Sequence, residues 1–295
     1  MIFFFYLTFY YFDGRWILNG IVAIIQSPVN LMTMLTVYLL SFCLKALAWK
    51  WYLHGRTRFS TCLLGVLYSL FVNHLLPIKA GDLVRMKIMS TRDGISGEDA
   101  AHSVIVLRLI DMICLIVFSI VGFCVLGIDF QIPVLLIMIG CIIFVLSMVV
   151  VVQFFPAFLK RQLELCKRAF SGRNGRLIFI AVAFSWILEC AVLYGTVIIY
   201  NGNLSILEAV FANSVTVSGQ IFQVTPGGIA NYESFLVFAL GLFGFSIQEG
   251  YTIAIVTHAV KFFFSYAAGV MAIFIYPIPF KTLLSWSRVR GVREK

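Results

Sequence analysis

The sequence predicts an all-α polytopic membrane protein, with about six spanning helices and two oppositely oriented re-entrant helical hairpins in an inverted repeat. Three observations predict it. The 295 residues are 61% hydrophobic and 12% charged, with a mean hydropathy of +1.00, far outside soluble-domain averages. Several apolar runs reach the ~20 residues that an α-helix needs to cross hydrocarbon, and no alternating strand pattern competes with them. Two apolar stretches, at 71–87 and 223–233, are broken in the same way by proline, glycine and charged or polar residues.

Taken in order, 1–12 is apolar but short and lacks the charged start of a signal peptide. It is either a tilted or incomplete span or the remnant of a longer one. Trp16, Ile17, Gly20, Ile21 and Ile24 recur at helical spacing, which predicts a surface-lying helix over 13–26. Pro28 opens a span at about 31–53 that closes on the aromatic belt of Trp49, Trp51 and Tyr52. The first broken hairpin has its leading arm at 60–76. Ser96, with Glu98 and Asp99 in the first turn, then starts a long span over 98–126.

A tight turn at 127–131 leads to a span at 132–152. Residues 156–176 carry Phe158, Leu159, Leu163, Cys166 and Phe170 on one helical face, with Lys160, Arg161, Lys167 and Arg168 away from it. That segment reads as a basic interfacial helix or as a plain positive loop. A span at 177–200, a turn at 201–203, the second broken hairpin over 205–243 and a last span over 246–275 complete the membrane part. Pro277 and Pro279 end it, and 281–295 is a basic tail. The domain reading is a single membrane domain with half-repeats at about 28–126 and 177–280, joined by 132–176.

A net charge of +9 would suggest nucleic acid in a soluble protein; here the positive-inside rule accounts for it, and no nucleic-acid partner is expected. Seven scattered cysteines without CxxC spacing read as reduced packing residues. Nineteen of the 22 Lys and Arg residues fall in 45–58, 79–92, 160–176 and 281–295. If 60–76 crossed fully, the cations of 79–92 and 160–176 would both be exported. If the hairpin enters from the cytoplasm and returns near Pro77, all four segments lie inside, along with the C-terminus. The same parity makes the second hairpin enter from the opposite face.

The halves also correspond in sequence: Pro77 with Pro226, Asp82 with Asn231, Ser96 with Ser246, and Arg108 and Asp111 with His258 and Lys261. Inverted repeats with interrupted helices at mid-membrane are a transporter architecture, with the site where the repeats meet. Irregular backbone at that depth belongs in a protein-lined or wet cavity. Pro77, Gly81, Pro226, Gly227 and Gly228 supply that backbone, and the free N–H groups of the half-helix starts would favour an anion such as a lipid phosphate. The alternative is a proline kink that serves packing.

Asp82 with Arg85, and Arg108 with Asp111, are three apart and share helix faces. A charge inside a span costs at least ~2.5 kcal/mol unless paired or wetted, so these are candidate site residues; the bland alternative is a local ion pair. Glu189 reads as a proton-coupling carboxylate or as a counter-ion for Lys261, and His258 lies with Lys261 in the last span. Asn73, Lys79, Gln220, Gln223, Asn231 and Glu233 are the polar groups near the two tips. His54 and His102 read as interfacial. No metal-ligand spacing and no HExxH, GxSxG or Walker loop occurs, so no metal, cofactor, enzyme activity or ATP-driven step is expected.

The ordered set Pro77-Ile-Lys-Ala-Gly-Asp-Leu-Val-Arg85, Gly94-Ile-Ser96, Arg108-Leu-Ile-Asp111 and Pro226-Gly-Gly-Ile-Ala-Asn-Tyr-Glu233 resembles the flippase-like membrane domain of lysylphosphatidylglycerol synthetase/flippase proteins. The resemblance runs from about Asp13 over nearly the whole chain. It implies movement of an aminoacylated or related phospholipid between leaflets, with Pro77, Gly81, Asp82, Arg85, Arg108, Asp111, Pro226, Gly227, Gly228 and Glu233 as site residues. The chain departs from the family pattern at Leu107, where an acid is usual, at Ala230, where a glycine is usual, and at His258, where an arginine is usual. No soluble aminoacyl-transferase domain follows the last span, so synthesis of the lysyl-lipid is not expected of this chain.

The functional expectation is a lipid flippase of the cytoplasmic membrane, with anionic or aminoacylated phospholipids as partners and a separate lipid-synthesising enzyme as a possible associate. The rivals are a membrane-embedded enzyme acting on lipid-linked phosphate or sugar, a proton-coupled small-solute transporter, and a non-transporting subunit of a lipid-synthesis complex.

Overall fold

The structure, a computed structural model, describes residues 2–76, 80–127, 173–220 and 225–277, with single positions between 153 and 167. The expected span at 132–152, most of the basic segment at 156–176 and the tail at 281–295 lie outside the described residues. Among the described residues every regular element is helical.

The ten-residue α1 (Ile2–Tyr11) is about 15 Å long, half of what hydrocarbon requires. Asp13 then caps α2 (Gly14–Gln26), accepting from the N–H groups of Arg15 and Trp16 at 2.9 and 3.1 Å. Ile17, Gly20 and Ile24 of α2 are buried and most of its other positions are exposed, the pattern of a helix lying on a surface. Pro28, preset for a helical start, opens α3 (Pro28–Tyr52), which ends where His54 and Gly55 take positive φ.

The first hairpin is α4 (Phe59–Leu75) and α5 (Gly81–Arg92); Ser96 then caps α6 (Gly97–Val125) through the Asp99 N–H. After the undescribed segment come α7 (Arg173–Glu189) and α8 (Ala191–Ile199), separated by a tightened turn at Cys190. The second hairpin is α9 (Ile206–Gly219), a 3-10 turn at Pro226–Gly228, and α10 (Asn231–Gly241). Ser246 and Glu249 form a reciprocal cap that starts α11 (Ile247–Ile275).

Among the described residues, four stretches are long and apolar enough to cross a membrane: α3, α6, α7 with α8, and α11. The outward faces of α6 and α11 carry Ile113, Ile120, Val125, Phe263, Met271 and Phe274, all exposed. Such faces suit lipid and not water. The chain is a multi-pass membrane protein.

Packing follows an exchange pattern. α3 packs against α7; α4 packs against its own partner α5 and against α11; α9 packs against its own partner α10 and against α6. Each leading hairpin arm therefore lies against the last long helix of the other half. The tip of α4 meets the middle of α11: the His74 ring lies 6.4 Å from that of His258 and 4.7 Å from that of Phe262.

Candidate functional site

At the first tip, the Asn73 side-chain oxygen accepts the Gly81 N–H at 2.8 Å and ties the start of α5 to the end of α4. A Cβ at Gly81 would lie 2.3 Å from the Ser69 carbonyl oxygen, so glycine is what allows the arms this close. Asp82, in the first turn of α5, receives Arg108 from α6 through Nε at 3.0 Å and Nη2 at 2.8 Å. That is a fork contact, stronger and more directional than a point-charge pair. Arg85 lies 3.7 Å from Asp82 and stacks 4.3 Å over the Trp49 ring, and Arg108 is also 3.7 Å from Asp111. Asp111 accepts Trp186 Nε1–H at 2.9 Å.

At the second tip, Gly227, Gly228 and Ala230 all have positive φ, at 63, 78 and 77°. A Cβ on Gly227 would lie 2.1 Å from Phe262. Glu233 caps its own helix, taking the Ala230 N–H on Oε2 at 2.7 Å, and its Oε1 lies 2.6 Å from His258 Nδ1. The other ring nitrogen of His258 faces the Gly227 carbonyl at 3.2 Å. Lys261 donates to Asn213 Oδ1 at 2.9 Å between the rings of Tyr38 and Tyr232.

Two expectations need correction. Glu189 does not pair with Lys261; it pairs with Lys45, Nζ to Oε2 at 2.7 Å, and Lys45 sits 3.5 Å over the Trp186 ring. Lys45 is therefore not a loop cation. It continues the inward stripe of Tyr38, Phe42 and Trp49 on α3, and Arg85 is likewise buried, so neither belongs in a count of loop charge. Secondly, the helix starts expected to cradle an anion are filled by the chain itself, Gly81 N–H by Asn73 and Ala230 N–H by Glu233. His102 is buried within the protein, with Nδ1 2.7 Å from the hydroxyl of Tyr52 in the aromatic belt.

Two chambers of about 130 Å³ each form between these groups. Lys45, Ser69, Arg85 and Asp111 line the first; His74, Gln220, Gly227, His258 and Lys261 line the second. Leu70, Asn73, Arg108, Trp186 and Glu189 line both, so the chambers adjoin. Lys45, Arg85, Arg108 and Lys261 balance the acids Asp82, Asp111, Glu189 and Glu233, which contains the cost of keeping charge at this depth. Among the described residues, Ser69 Oγ, Arg85 Nε, Asn213 Nδ2 and Tyr232 OH are buried without a hydrogen-bond partner. Each such group costs about 1–3 kcal/mol, and together they mark a place able to take up further polar atoms.

The chambers bring together Asn73, Arg85, Arg108, Asp111, Glu189, Gly227, His258 and Lys261. Asp82 and Glu233 stand directly behind them as partners of Arg108 and His258, while Gly81 holds the first tip together. Pro226, Gly228 and Asn231 line neither chamber, and Pro77, Lys79 and Gln223 lie outside the described residues. Sequence reasoning missed Lys45, His74, Trp186 and Asn213. For Lys45 the signal was present: it is the single charge in the apolar run from Leu31 to Trp49.

A family model described as the lysylphosphatidylglycerol synthase TM region matches residues 1–269. Neither the curated proteins nor the solved structures give a significant match. The chain belongs to the lysylphosphatidylglycerol synthase transmembrane-region family, membrane domains associated with lysylphosphatidylglycerol synthesis and lipid flipping.

Proposed function

We propose that this protein is a lipid flippase of the cytoplasmic membrane: it carries the headgroup of a phospholipid or related lipid between leaflets, without ATP hydrolysis in this chain. The observation that supports this most is the pair of adjoining polar chambers at the level where the first hairpin tip meets the middle of α11, walled by helices from both halves. In this reading the exchange pairing of α4 with α11 and of α9 with α6 reflects two inverted half-repeats, 28–126 and 177–280, whose re-entrant hairpins enter from opposite faces. The C-terminus is cytoplasmic.

A headgroup enters by exchanging partners. Arg108 and Lys45 are each held by a carboxylate that a substrate anion can replace, and Asp82 or Glu189 then becomes free for a substrate amine. Lipid tails stay in the bilayer against the apolar outer faces. The substrates are anionic or aminoacylated phospholipids, and a separate enzyme supplies them; the chain itself performs no covalent chemistry.

Leaflet exchange of fluorescent phospholipids in proteoliposomes tests the proposal. Exchange faster than in protein-free vesicles, and dependent on headgroup, is expected. Rates equal to empty vesicles for every headgroup would overturn it.

A further inference from the structure

A third cavity, of about 300 Å³, lies outside the two chambers, between α1, the second break and α11. Phe4 and Thr8 of α1, with Phe12 just after it, form one wall, and Tyr251, Ile255, Ala259 and Phe262 of α11 form another. Ile229 of the break adds an apolar side chain that is 42% exposed. Beside the hydroxyls of Thr8 and Tyr251, the polar side chains of the lining are Glu233 and His258, both buried. His258 also lines the second chamber, so one imidazole, with the Phe262 ring 4.8 Å away, separates the apolar groove from the polar interior.

Position and chemistry decide what fits there. Residues 251–262 are the first half and centre of a 29-residue helix long enough to span the membrane, so the groove opens at hydrocarbon depth. Water is not the competing occupant at that depth; acyl chain is. An apolar trough that ends on a hydrogen-bonding His–Glu pair complements an amphiphile, tail outward and polar group inward. The outer wall is also lightly held. α1 is fixed by buried Leu7 and by the 2.8 Å contact of Thr8 Oγ1 with Tyr251 OH, while Phe5, Phe9 and Tyr10 stay exposed.

We propose that this groove is a lateral portal: it holds one acyl chain of a glycerophospholipid while the headgroup passes His258 into the second chamber. The passage of the headgroup rests on the lipid-transport reading above; occupancy of the groove by a chain does not.

The test uses phosphatidylglycerol with a diazirine midway along one chain, in proteoliposomes of the full chain, with adducts mapped by peptide mass spectrometry. Adducts several-fold more frequent at Ile229, Ile255 and Ala259 than at the more exposed Phe274 are expected. Ala259→Trp, which places a large ring in the groove and removes no polar group, should cut adducts at Ile229 and slow leaflet exchange by about tenfold or more. Phe274→Trp should change neither. A melting curve confirms that the variant is folded, and Ala259→Leu serves if the larger ring prevents folding. Adducts spread evenly over exposed faces, or normal exchange by folded Ala259→Trp, would overturn the portal and leave flipping intact. Adducts in the groove with no exchange by the wild type would uphold the chain-binding site and overturn flipping.

Discussion

The Lys45–Glu189 pair permits the most quantitative test of how the site is held together. Glu189→Gln keeps the side-chain shape and removes the charge that faces Lys45 Nζ at 2.7 Å. At an effective dielectric of ~20 the lost attraction is about 6 kcal/mol in gross terms. Water in the adjoining chamber recovers part of it, and the Trp186 contact is unchanged, so a net loss of about 3 kcal/mol is expected, in line with breaking a buried pair from one side. At roughly 2–4 °C per kcal/mol, melting should fall by about 6–12 °C. Cys62, Cys114 and Cys190 are free and buried, so a thiol-reactive dye reports unfolding directly in detergent. Lys45→Met combined with Glu189→Gln removes both charges and should recover most of the loss. A single variant that melts within a degree or two of wild type, or a double variant no better than the single, would refute the reasoning.

Ala230→Gly should raise stability by about 1 kcal/mol, because Ala230 sits at φ 77°, ψ −42°, a conformation that strains any Cβ by ~1–3 kcal/mol; a lower melting temperature would contradict this. Gly81→Ala should cost about 1–3 kcal/mol by forcing α4 and α5 apart, read in the same dye assay. Arg108→Lys keeps the charge but loses the fork on Asp82, and should slow leaflet exchange by about 10–100-fold while melting changes less than for Glu189→Gln. In a cysteine-free background, Lys79→Cys should label from the cytoplasm and Asn231→Cys from outside; labelling of both from one side would rule out oppositely entering hairpins.

Much of the fold was legible because membrane helices announce themselves in local composition. Asp13, Ser96, Ser205 and Ser246 mark helix starts that the structure uses as caps, and the glycine and proline runs mark both breaks. The glycine that the resemblance leads one to expect at 230 has a physical basis in the positive φ there. Pairing between distant helices was less legible. Asp82 and Arg108, 26 residues apart, were each singled out as charges within local i,i+3 pairs; Lys45 and Glu189 are 144 apart, and nothing local signals their meeting. Lys45 was counted with loop cations because charge counting treats a basic residue near a helix end as solvated. Its place on the stripe of Tyr38, Phe42 and Trp49 says otherwise. Trp186 was invisible for a similar reason: an indole in an apolar run reads as packing until a carboxylate is found beside its N–H.

The most direct test of the central claim is to plug the chambers without altering a single charge. Leu70 lines both, so Leu70→Trp places a ring in the shared wall. Leaflet exchange should then fall to the rate of empty vesicles in a variant that still melts as a folded protein. Exchange at the wild-type rate in that folded variant would mean that lipid headgroups do not travel through this site.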